Sequence, residues 1–216
     1  MTRPEPVSTR DVVELILGYG LILFILWMPD FPQRILFPVA LVFTLAVALG
    51  RGQEVDELGL GRRTLASSFW ILPAALAVAA VSIVVARQIG TLHALYAGDF
   101  KHIAGYILWT CYQQFLLNDY FMPRLARLLG NESAAVSAAA VLFASAHLPN
   151  LWLTAATLLW GAGSCALFLR YRSVYPLGLA QGVLGLCFAI CVPDALHHHL
   201  RVGLGYLRYQ SAPPAR

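Results

Sequence analysis

Seven apolar runs, each about long enough to cross a bilayer, take up most of this chain and leave little room for any soluble architecture. A hydrocarbon core of ~30 Å needs about 20 helical residues, or a few fewer at short spans. On that ruler the runs fall near 12–28, 35–50, 68–86, 103–122, 133–148, 151–169 and 175–192. Of the 216 residues, 59% are hydrophobic and only 12% charged, about half the ~25% charged share of a soluble domain. The sequence therefore predicts an all-α polytopic membrane bundle of about seven transmembrane helices. It reads as one integral-membrane domain over 1–216 with an interfacial tail over 194–216.

The punctuation between runs supports this division. Pro29-Asp30-Phe31-Pro32 breaks the first pair, and Pro123 is expected to end the fourth span. Gly130-Asn131-Glu132-Ser133 reads as a stop followed by a helix cap, and Pro149-Asn150 makes a tight connection after His147. The first run holds Glu14 and lacks a small-residue cleavage site, so it reads as a retained span rather than a signal peptide. Gln53–Ser67 and residues 194–210 are amphipathic and suit the headgroup region. An eighth, interfacial or re-entrant segment in the tail stays open.

The net charge of +4 comes almost wholly from arginine, with Lys101 the only lysine. These cations sit at segment ends and form no cluster in sequence, which argues against nucleic acid and for anchoring beside anionic lipid. With the N-terminus cytoplasmic, that side holds nine of them (Arg3, Arg10, Arg51, Arg62, Arg63, Arg124, Arg127, Arg170 and Arg172), and the other side holds six. That bias has the expected sign, and the loose expectation is a prokaryotic inner membrane. Cys111, Cys165, Cys187 and Cys191 all lie within apolar runs and read as small hydrophobes rather than disulfides or zinc ligands.

Polar groups inside such runs are candidate functional sites. On the fourth helix Thr110, Gln113, Gln114, Leu117 and Asn118 share a sector of about 140°, with Tyr106 one turn earlier. A stripe of amides must face the bundle interior, either as glue between helices or as the wall of a polar cavity. On the fifth helix Phe143 and His147 share a face beside a run of alanine and serine that permits close helix approach. The seventh carries Gly178, Gly182 and Gly185 with Gln181 beside them, a close-approach surface. His197-His198-His199 cannot converge on one metal ion from a regular helix, since adjacent residues point about 100° apart.

The order of these motifs resembles the CPBP family of intramembrane endopeptidases, which includes CAAX prenyl proteases and bacteriocin-processing (Abi) proteins. That family shows Glu-Glu-x-x-x-Arg, then Phe-x-x-x-His, then His-x-x-x-Asn or Asp, on three membrane helices. Here the first is Gln113-Gln114-Phe115-Leu116-Leu117-Asn118, the second is intact as Phe143-Ala-Ser-Ala-His147, and the third is Gln181-Gly-Val-Leu-Gly185. The Leu58-Gly59-Leu60-Gly61-Arg62-Arg63 stretch is similar to the family's lead-in, so the resemblance covers about residues 55–192.

The resemblance implies a peptidase acting on membrane-anchored or prenylated peptides, with Gln113, Gln114, His147 and Gln181 at its catalytic positions and Asn118 and Gly185 as further motif positions. In the family the first Glu is the general base that activates water, work that needs a group able to take a proton near neutral pH. An amide at 113 can orient a water or donate to an oxyanion, but it cannot take the proton. Asp119 lies roughly 240° around the helix from Gln113 and Cys111 about 200°; Glu14 and Asp194 could reach the site only through tertiary folding. No cofactor is expected, and zinc at His147 would lack further ligands. The sequence thus frames two readings, an endopeptidase with an altered site and a non-catalytic relative that keeps the peptide- or lipid-binding cavity. A solute carrier would show internal repeats, and none is seen. One tension stands: His147 falls late in its span and Gln181 early in its own, although the two helices should run in the same direction.

Overall fold

The computed structural model describes residues 8–209 apart from 53, 62–63 and 95–99. All regular structure among the described residues is helical. α1 (Thr9–Leu26) and α2 (Asp30–Leu49) form a hairpin at the predicted proline break, with Pro29 capping α2. A short α3 (Leu65–Ser68) leads into α4 (Ile71–Ile89), and α5 (Phe100–Phe115) returns. α7 (Glu132–Ser145), α8 (Leu151–Tyr171) and α9 (Val174–Cys191) complete the long helices.

Four helical stretches are long and apolar enough to cross a membrane: Asp30–Leu49, Leu65–Ile89, Leu151–Tyr171 and Val174–Cys191. Of the other expected crossings, α1 carries Arg10, Asp11 and Glu14, α5 stops at 16 residues and α7 at 14. Half of the α9 window is buried by protein, against 17% for α2. α9 is therefore the central helix, packed by both α4 and α5, while Val39, Val42, Val81 and Leu159 present their side chains outward, where lipid rather than water suits them.

The fourth apolar run departs from expectation. It does not end at Pro123: α5 passes into a π-helical segment, Leu116–Phe121, and then into α6 (Met122–Leu129). Pro123 lies in the first turn of α6, where an absent backbone N–H costs least. Gly130 then stops the rod with φ 63°, and the Asn131 side chain accepts from the Ala134 N–H as the cap of α7, as read from the sequence.

The glycines of α9 serve close approach. A Cβ on Gly178 would meet Cys111 Sγ at 2.6 Å, and one on Gly182 would meet Ile107 and Thr110 at 3.2 Å. α5 and α9 thus touch nearly backbone to backbone, and Thr110 donates across the seam to the Gly178 carbonyl at 2.9 Å.

After α9 the chain folds over the end of the bundle as α10 (Asp194–His197), a single 3-10 turn (His198–Leu200) and α11 (Gly203–Leu207). Of the stretch expected to lie along the headgroups over Gln53–Ser67, Gln53, Arg62 and Arg63 fall outside the described residues.

Candidate functional site

The close α5–α9 seam brings the amides of two helices within bonding range. Asn118 Nδ2 donates to Gln114 Oε1 at 2.9 Å, Gln114 Nε2 to Gln181 Oε1 at 2.6 Å, and Gln181 Nε2 to Gln113 Oε1 at 2.5 Å. From α8, Trp160 Nε1 also donates to Gln181 Oε1 at 3.2 Å. The result is a head-to-tail chain of four amides tying three helices together. Gln114 and Asn118 are fully buried and act within the seam. Gln113 and Gln181 also line a cavity of about 1100 Å³. Glue and cavity wall, the two options read from the stripe, are shared out among its members.

The cavity runs from these amides toward Leu200 and Val202, which line it from the C-terminal segment. Its walls are mostly apolar and aromatic, including Phe37, Trp109, Phe143 and Trp160. His147 follows the end of α7 and lines the same space. Its Nδ1 lies 2.7 Å from the Phe143 carbonyl. A carbonyl can only accept, so Nδ1 carries the proton and the neutral ring keeps its lone pair on Nε2. Among the described residues, His147 Nε2 has no hydrogen-bond partner. His147, Gln113 and Gln181 thus line one and the same cavity.

Gly185 shares the lining, but its place is restricted. A Cβ there would run into the ring and hydroxyl of Tyr106, so Tyr106 fills the space that a side chain at this third-motif position would need. Trp160 and Tyr106 were not singled out as partners of the motif positions by sequence. Only the need of a buried indole N–H or phenol for a polar neighbour hints at their roles.

The carboxylates lie elsewhere. Glu14 is held by Arg10, Arg51 and Arg124, Asp194 contacts His199 and Tyr209, and Asp119 is buried within the π segment. Among the described residues, no Asp or Glu lines the cavity.

Residues 102–187 match the family model described as Rce1-like, type II CAAX prenyl endopeptidase. This region is similar to the CAAX prenyl endopeptidase family. The match falls inside the 55–192 stretch marked by the motifs and takes in all three of them. No curated protein and no solved structure matches the chain. The CAAX-protease-type region coincides with the helices that build the amide chain and most of the cavity wall, which makes the protein a CAAX-protease-like membrane protein.

The histidine triplet is not regular helix. Positive φ values at His198, His199 and Leu200 turn the three rings apart. His197 bridges the Val192 carbonyl and the Leu200 N–H, His198 stacks on Tyr206 at 4.1 Å, and His199 meets Asp194 and Tyr209.

Proposed function

We propose that this CAAX-protease-like protein binds a membrane-anchored or lipid-modified peptide in its cavity and has lost the family's ordinary water-activating step. The observation that carries this reading is the amide chain itself. Where the family's base would stand, Gln113 accepts a hydrogen bond from Gln181, and among the described residues no carboxylate faces the cavity to take its place. An uncharged wall of hydrogen-bonding groups in an apolar cavity suits a polar peptide backbone joined to an apolar tail. Gln113 and Gln181, with Gln114 and Asn118 behind them, hold the wall in position, and His147 offers an acceptor to the same cavity. Membrane lipid is the surrounding partner, and the arginine bias supports an N-terminus on the cytoplasmic side.

His147 favours a second reading. With Nδ1 fixed on the Phe143 carbonyl, Nε2 could serve as the proton acceptor in an altered endopeptidase. One experiment separates the two. Purified protein in detergent is presented with a prenylated peptide and with its unprenylated form, and both retention and cleavage are followed. The proposal expects retention of the prenylated peptide without turnover. Robust cleavage that His147→Ala abolishes would establish the second reading and overturn the first.

A further inference from the structure

We propose that the arginine cluster shared by the start of α1, the exit of α2 and α6 binds the phosphate of an anionic phospholipid headgroup. This site lies apart from the cavity and does not depend on the function proposed for it.

The cluster is built around Asp11 and Glu14, one turn apart on α1 and both buried. Arg10 Nε reaches Glu14 at 2.6 Å, and Arg51 Nη2 lies 2.7 Å from Asp11 and 2.5 Å from Glu14. Arg124 Nη2 meets Glu14 at 2.6 Å and Arg127 Nη2 meets Asp11 at 2.8 Å. Four guanidiniums therefore share two carboxylates, an excess of two positive charges among these groups.

Their surroundings divide the four. Arg124 is enclosed, with its guanidinium 4.0 Å over the Tyr120 ring and Nη1 bonded to the Tyr120 carbonyl. It is a structural cation. Arg10, Arg51 and Arg127 keep 61%, 18% and 24% of their side-chain surface exposed. Among the described residues, both Nη groups of Arg10, and Nη1 of Arg51 and of Arg127, make no hydrogen bond, although their partner nitrogens do. Unused guanidinium donors gathered around two shared carboxylates, with positive charge in excess among these groups, are an arrangement that phosphate oxygens fit.

The neighbouring surface selects the source of that phosphate. Val13 and Leu17 on α1, Leu49 at the end of α2 and Leu129 at the end of α6 are exposed and each stands within three residues of a cluster member in sequence. A headgroup bound to the arginines would lay its acyl chains along these side chains, whereas a free phosphate ion would leave them uncovered. Basic groups at the edge of a helical bundle attract anionic lipid for the same electrostatic reason.

Native mass spectrometry of the full chain, delipidated in a neutral detergent, tests this with phosphatidylglycerol, phosphatidylcholine and inorganic phosphate as probes. Phosphatidylglycerol is expected to be retained at least tenfold more tightly than phosphatidylcholine, with millimolar phosphate failing to displace it. Arg10→Gln, a change at a mostly exposed side chain, should weaken that retention severalfold while the protein keeps its melting temperature. Arg87→Gln, at the opposite face of the bundle, should leave it unchanged. Equal retention of the two lipids, full displacement by phosphate, or indifference to Arg10→Gln would each overturn the assignment. So would an equal loss in Arg87→Gln, which would reduce the effect to overall charge.

Discussion

Replacing Gln181 by Leu is the sharpest probe of the amide chain. The substitution keeps the side-chain bulk but removes one donor and one acceptor, breaking the bonds to Gln114, Gln113 and Trp160 in a single step. Hydrogen bonds between helices inside a membrane average ~0.6 kcal/mol, so three should account for about 2 kcal/mol. The orphaned partner adds to this. Gln114 is fully enclosed, and an unpaired buried donor costs ~1–3 kcal/mol. Gln181→Leu should therefore destabilise the protein by roughly 3–5 kcal/mol, read from denaturant-driven unfolding in mixed micelles. The revealing variant is Gln114→Leu with Gln181→Leu. Once both partners are apolar the Gln114 donor is no longer stranded, so the double change should cost clearly less than the sum of the singles. A loss below about 0.5 kcal/mol for Gln181→Leu, or strict additivity of the pair, would refute the claim that these amides act as one bonded unit.

Two further outcomes follow from the geometry. Gly185→Asn restores the residue type of the family's third motif but overpacks against Tyr106; it should lower stability by ~1–3 kcal/mol, with Tyr106→Ala recovering much of the loss in thermal melts, and an undisturbed melt for Gly185→Asn alone would count against the steric argument. His197 should make the C-terminal segment sensitive to acid: its Nε2 donates to the Val192 carbonyl at 2.9 Å while Nδ1 accepts from the Leu200 N–H at 3.2 Å, and only a neutral ring does both. Burial holds its pKa below the usual histidine value, with the His93 ring stacked beside it and Asp194 pulling the other way. The stabilisation is complete above the ordinary value of ~6.5 and is lost as pH falls through the lowered folded value. Amide hydrogen exchange over 194–207 should therefore rise on acidification beyond its intrinsic rate and lose that dependence in His197→Gln; a flat profile in the parent protein would refute it.

How much of this was legible in the sequence depends on the range of the interaction. Helix positions followed from run length and from local caps, because the bilayer ruler and the Gly130–Asn131 turn both act through neighbours in sequence. The glycine face of α9 was legible for the same reason, since spacing alone puts Gly178, Gly182 and Gly185 on one side. Pro123 misled because a proline signals a stop only if the helix before it is regular, and the π segment changes what that position has to satisfy. The pairing of Gln181 with Gln114 and Gln113 could be suspected from motif order. Trp160 could not, being one apolar residue among many on α8. The arginines read as scattered anchors because Arg10, Arg51, Arg124 and Arg127 are far apart in sequence, and only the fold gathers them around α1.

The π segment between Leu116 and Phe121 has a reach beyond its six residues. A helix that takes in one extra residue turns everything downstream by about 100° about its axis. Upstream, Gln113 and Gln114 are aimed at α9; downstream, Arg124 and Arg127 are aimed at α1. The wider turn acts as a swivel in an otherwise continuous rod, so that one length of chain addresses two different neighbours.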